Sequence, residues 1–193
     1  MNRPRIYYYV AGVTAAACGA MALSWGSRTS FPGVWPVVVL LLIAFLLQIS
    51  STDIRGGNAE GSLSFIAHLA TGVLFGAFWG GVVAGLSTAM SQAAARREVL
   101  KAVFNIAQRT LSLICAILAY TSLGGTVPPD YLFEGAPWVT ETVGPQILAF
   151  LAGALVYFAL NSLLVSGAVA ISAKKPLRKV WTTGYLWVLG YDI

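Results

Sequence analysis

The sequence predicts an all-α fold: one integral-membrane bundle of about six transmembrane helices, with the N-terminus in the cytoplasm. Three observations carry this. Of 193 residues, 58% are hydrophobic and 10% charged, against about 25% charged in a soluble domain. The mean hydropathy is +0.76, and the apolar residues form uncharged runs long enough to cross a hydrocarbon core of about 30 Å. The Lys and Arg residues cluster beside those runs, as the positive-inside rule requires. The net charge of +5 then reflects topology, and no nucleic-acid partner is expected. Residues 1–193 read as a single transmembrane domain in a plasma (inner) membrane, with the lipid bilayer as the first partner.

The first span is expected over about Ile6–Trp25. Arg3 and Arg5 give it a basic start, and Tyr7, Tyr8, Tyr9 and Trp25 lie where interfacial aromatics belong. Ala15, Ala16 and Ala17 imitate a cleavage region, but the run is long enough to be an uncleaved span. A linker, Gly26–Gly33, leads to a second span over about Val34–Ile49, with Pro36 in its first turn, where the missing N–H costs little. Ser50–Ser62 is polar and rich in Gly and Ser, so a turn or short hairpin is expected there, with Gly56-Gly57 at its tip.

Leu63–Ala95 is uncharged apart from His68. As one straight helix it would measure about 50 Å, well beyond the bilayer core. A re-entrant or two-helix hairpin turning near Gly76, Gly80 and Gly81 is expected instead. Charge supports this. With a cytoplasmic N-terminus and a double crossing, Arg96, Arg97, Lys101, Lys174, Lys175, Arg178 and Lys179 all fall inside. The loop Gly124–Gly144, with Asp130, Glu134, Glu141 and no basic residue, falls outside. Further spans are expected over about Leu100–Ser122 and Gln146–Ile171. Gly184–Ile193 turns apolar again, but about ten residues cannot cross a bilayer. It reads as the opening of a truncated seventh span.

The polar residues inside these runs are the candidate sites. Arg109 lies about 13 Å into the membrane from Leu100, where a charge costs roughly 2.5–3.5 kcal/mol. No Asp or Glu lies inside any expected span. Either Arg109 snorkels toward the cytoplasmic interface, or it binds an anionic group or the carbonyls of a broken helix. Lys101, Asn105, Gln108, Arg109 and Ser112 fall on one stripe of the helix, facing the bundle interior or a cavity. Interhelical hydrogen bonding is the plainer role for Asn105 and Gln108. His68 shares a face with Ser64 and Thr71 and is either an interior hydrogen-bonded residue or a ligand contact. Asn161 shares a face with Tyr157 and Gly153, and helix packing is the plainer role for it. His68, Asn105, Gln108, Arg109 and Asn161 are the expected ligand-binding residues, for a small-molecule or anionic ligand, and the deepest of them are expected to converge.

Gly76, Gly80, Gly81 and Gly85, followed by Thr88 and Gln92, predict close helix packing. Cys18 and Cys115 read as small buried hydrophobes. No His, Cys or carboxylate has ligand spacing to His68, so no metal and no cofactor is expected. With no Walker A, nucleophile elbow, HExxH or paired membrane carboxylates, no enzyme is expected.

FNIAQRTLS at Phe104–Ser112, preceded by Arg96-Arg97, resembles the FNxAQxxLS helix of a bacterial integral-membrane module. YFALNSLLVSGAVAISAKKPLR at Tyr157–Arg178 resembles that module's YFxxNxxLV…PLR helix and loop. GSLSFIAHLATGVLFG at Gly61–Gly76 matches its third span loosely. Such modules stand ahead of GGDEF or HD-type phosphohydrolase domains in signalling proteins. They are more distantly similar in layout to the S components of energy-coupling-factor transporters. The resemblance covers about Leu40–Trp187. It implies a sensory or ligand-binding input module with a cytoplasmic signalling domain as partner. The alternative is a solute-uptake subunit that hands its substrate to a transport ATPase, and a third reading is an anchor.

Overall fold

A computed structural model describes residues 3–26, 31–50, 52–54, 59–61, 63–127 and 143–189. Its helices are α1 (Arg3–Gly26), α2 (Val34–Ile49), α3 (Ser64–Ala94), α4 (Val99–Ser122), α5 (Val143–Ala173) and α6 (Leu177–Leu189). Between α2 and α3 a small ribbon pairs β1 (Thr52–Ile54) with β2 (Ala59–Gly61), antiparallel, with Asp53 opposite Glu60. The short hairpin expected in Ser50–Ser62 is therefore present, while its Gly56-Gly57 tip lies outside the described residues. So do Asp130, Glu134 and Glu141 of the loop before α5. Four helices, α1, α3, α4 and α5, are long and apolar enough to cross a membrane, and α2 is shorter.

Straight, α3 would be about 47 Å long. It is instead folded back at Gly76, whose backbone has φ 83° and ψ 173°, a region essentially reserved for glycine. A methyl group placed on Gly80 would meet the Gly72 Cα at 2.8 Å. His68 Nε2 lies 2.9 Å from Ser87 Oγ, 19 positions away, where a straight helix would put about 28 Å between them. The stretch is thus folded back on itself as a helical hairpin, as its length predicts. Its arms are residues 64–75 and 77–94, about 18 and 27 Å long. The turn is at Gly76 alone. Gly80, Gly81 and Gly85 sit in the second arm and let it lie close to Gly72, Ile114 and Thr110 respectively.

The centre of the bundle is α4, which packs on α1, α3 and α5. Leu113, Ile114 and Ile117 are fully buried. Leu113 and Ile117 join Leu69 and Ala84 of α3 and Tyr157 of α5 in one core cluster, and Phe104 and Ala107 join Val10, Val13 and Ala17 of α1 in a second. Gly153 brings α5 against the carbonyl of Ala116, and Tyr9 of α1 donates to the Leu164 carbonyl of α5 at 2.9 Å. Outward faces carry large apolar residues such as Leu42, Leu46, Leu148, Leu151 and Leu155, as suits a surface solvated by lipid.

Three expectations change. Cys18 is exposed and Cys115 half-buried, both as free thiols, because an apolar run in a membrane bundle has a lipid face as well as a protein face. Lys101 is exposed and pairs with Glu98 at 3.9 Å instead of joining the interior stripe. The last helix begins at Leu177, well before Gly184. Lys174 takes a left-handed φ of 53° and Lys175 N–H bonds back to the Ala170 carbonyl, which ends α5 in a tight αL cap. Pro176 then opens α6, its carbonyl accepting from Val180 N–H, and Trp181 Nε1 donates to Ser162 Oγ at 3.1 Å, so α6 runs back along α5. The charged start hides this helix from a hydropathy reading, since Arg178 and Lys179 sit exposed on its first turn.

Candidate functional site

Both α3 and α5 pack on α4, but they scarcely touch one another. The gap over α4 is a cleft of about 170 Å³, lined by Ser64 and Phe65 from the start of α3, Arg109 from α4, and Ala154, Tyr157, Phe158 and Asn161 from α5. Local periodicity sets out the α5 wall, since positions 154, 157, 158 and 161 recur on one helical face. Arg109 reaches the cleft because side chains lean toward the N-terminus of their helix, and Nη1 donates to Ser64 Oγ at 3.0 Å. That bond uses one of the five guanidinium donors. Asn161 and Tyr157 make no side-chain hydrogen bond to any described residue.

The expected site residues divide between this cleft and the bundle core. Arg109 and Asn161 line the cleft together. His68, one turn beyond Ser64, is fully buried against Ser87 inside the α3 hairpin. Ser87 also donates to the Ala84 carbonyl at 3.3 Å. The direction of the His68–Ser87 bond follows the imidazole tautomer, and Nδ1 has no partner among the described residues. Asn105 donates to Gln92 Oε1 at 3.0 Å, an interhelical bond across α3 and α4. Gln108 is buried, with Oε1 unpartnered among the described residues, and so are the hydroxyls of Ser112 and Thr88. Asn105 and Gln92 thus tie α4 to α3, and none of these groups lines the cleft.

Ser64, Tyr157 and the two phenylalanines complete the wall. Their signal in the sequence was their helical spacing from His68 and Asn161. The pairing of Trp181 with Ser162 had no local signal, because it depends on α6 folding back.

The arrangement offers a fixed cation within a long apolar helix, with spare donors beside it and aromatic walls. It can bind an acceptor-bearing molecule; among the described residues there is no group of His, Cys, Asp or Glu able to hold a metal ion. No curated protein matches the chain, and no solved structure does. A family model does match, over residues 34–189: MASE9.

Proposed function

The chain belongs to the MASE9 family, a family of membrane-associated sensory domains, and on that premise we propose that it is the ligand-binding input module of a signalling protein in the inner membrane. Its N-terminus and basic clusters face the cytoplasm, and it passes its state to a cytoplasmic signalling domain. The ligand occupies the cleft between α3 and α5. One observation carries this reading: among the described residues Arg109 makes one hydrogen bond at the cleft, to Ser64, and no Asp or Glu lies within any helix. A membrane-depth charge of that kind is by default functional. The output side follows from adjacency. Asn161 lines the cleft and its neighbour Ser162 holds Trp181 of α6, so a shift of α5 on ligand binding is carried to α6.

Thermal unfolding of the purified protein in a nonionic detergent, with a panel of small acids and neutral solutes, tests this. At least one solute is expected to stabilise the wild type, by mass action. The same solute should not stabilise Arg109→Leu, and it should stabilise Arg109→Lys less, because lysine lacks the planar fork. If the three proteins are equally stable and none responds to any solute, Arg109 is an interface residue and the ligand-binding reading fails.

A further inference from the structure

Resting on the cleft as the ligand site, we infer the class of its ligand: a monocarboxylate with a compact apolar or aromatic body, its carboxylate on Arg109 and its body between Phe65 and Phe158. Charge, donor count and volume each point to this class.

Among the described residues that line the cleft, Arg109 is the charged one, with no carboxylate in any helix to neutralise it. A monoanion brings the site to neutrality. A dianion such as a phosphate monoester would leave a net negative charge in a low-dielectric interior, which is costly. Hydrogen bonding narrows the class further. Four of the five guanidinium donors are unused by Ser64, and a fork of parallel N–H groups matches a carboxylate in bidentate fashion. The Asn161 amide and the Tyr157 hydroxyl have no partner among the described residues, and each can donate to the same acceptor group.

The remaining wall is apolar: Phe65, Ala154 and Phe158. It gives no partner to a sugar or a second polar group, which would be left unsatisfied on binding. A volume of about 170 Å³ compares with the cavity of about 150 Å³ that holds benzene in another protein. One ring, or a short acyl chain, fills it. Phe65 is 41% exposed on the outer face of α3, so the body of a longer acid can trail outward. The same carboxylate chemistry has two sources, a free aromatic acid from solution and a fatty acid from the bilayer.

The experiment measures unfolding temperature and binding by calorimetry in dodecyl maltoside, with benzoate, hexanoate, oleate, benzamide and inorganic phosphate as probes. Benzoate or hexanoate at saturation should raise the wild-type unfolding temperature by roughly 5 °C. Benzamide, of the same shape without the charge, and phosphate should leave it unmoved. Arg109→Leu should abolish the response, and Arg109→Lys should weaken binding about tenfold or more. Ala154→Leu, which fills the cleft while keeping the arginine, should abolish it too and serves if the Arg109→Leu variant does not fold. A response to oleate alone assigns the site to bilayer fatty acids; a response to benzoate assigns it to soluble acids. Benzamide acting as well as benzoate, or a carboxylate response that survives both Arg109→Leu and Ala154→Leu, overturns the inference. If phosphate or a neutral solute instead stabilises the wild type and not Arg109→Leu, the ligand class is wrong and the sensory cleft stands.

Discussion

Arg109 shows how a single residue is both expensive and directed. Its helix rises from Val99, so the backbone carries it about 15 Å along the axis, and its side chain leans back toward the helix start. Free snorkelling would take the guanidinium to water. Ser64 intercepts it at 3.0 Å, at the first turn of α3, and holds it beside Asn161. His68 is in the opposite situation. It is sealed in the hairpin, and its one bond is to Ser87. Removing that hydroxyl leaves both ring nitrogens buried without partners among the described residues. Ser87→Ala should therefore lower unfolding stability by about 1–3 kcal/mol, measured by thermal or denaturant melts in detergent. Ser50→Ala, which removes an exposed hydroxyl bonded to the Leu46 and Leu47 carbonyls of the adjoining helix, should change little. Equal effects for the two would mean that the His68 bond contributes nothing.

At the scale of the element, the α3 hairpin decides what α4 sees. Folding at Gly76 brings the two arms together, so α4 packs on both: Gly72 of the first lies on Ile117, and Gly81 and Gly85 of the second lie on Ile114 and Thr110. The hairpin also places Ser64 beside Arg109. Gly76 makes this possible because a Cβ at φ 83°, ψ 173° is strained. Gly76→Ala should cost on the order of 1–3 kcal/mol, and it should weaken any ligand response at Arg109 although it lies far from the cleft. Wild-type stability in that variant would show that the turn tolerates a side chain. The C-terminal end of α3 is ordered differently. Arg96 N–H bonds to Ala93 and Arg97 N–H to Gln92, a Schellman pattern with Arg96 in the left-handed region at φ 48°, where glycine is usual. A basic residue is kept there at some backbone cost, next to the helix's negative dipole end.

At the scale of the whole molecule, the hairpin returns the chain to the side it came from. Ser64 and Ala94 thus lie toward the same end of the bundle, as do the arginines that follow α3. With α4 and α5 as an antiparallel pair, the Lys174-Lys175 turn lies at that end also, and the stretch that carries Glu134 joins their opposite ends. The positive-inside rule argues that the first end is the cytoplasmic one. In a background with Cys18 and Cys115 replaced by alanine, cysteines at positions 97 and 175 should be labelled by an impermeant reagent only from the cytoplasm, and one at 134 only from outside. Labelling of 97 and 134 from the same side would contradict the topology.

Sequence alone determined much of this protein, because the bilayer imposes simple rules. Length, hydropathy and charge placement marked α1, α2, α4 and α5 to within a few residues, and they required α3 to be bent, since about 50 Å of apolar helix has nowhere to lie in a core of about 30 Å. The cost of a membrane-depth charge singled out Arg109. Tertiary structure decided which polar residues share a space. His68, Asn105, Gln108, Arg109 and Asn161 are alike in depth and polarity, but side-chain direction across helices depends on packing registers that no single helix encodes. Gly76 set the register that buried His68 on Ser87, and Gly153 drew α5 onto α4 so that Asn161 shares a cleft with Arg109 while Asn105 turned to Gln92. The same holds for Cys18, where apolar context does not say whether the neighbour is lipid or protein, and for α6, which is tied to α5 by the bond from Trp181 to Ser162.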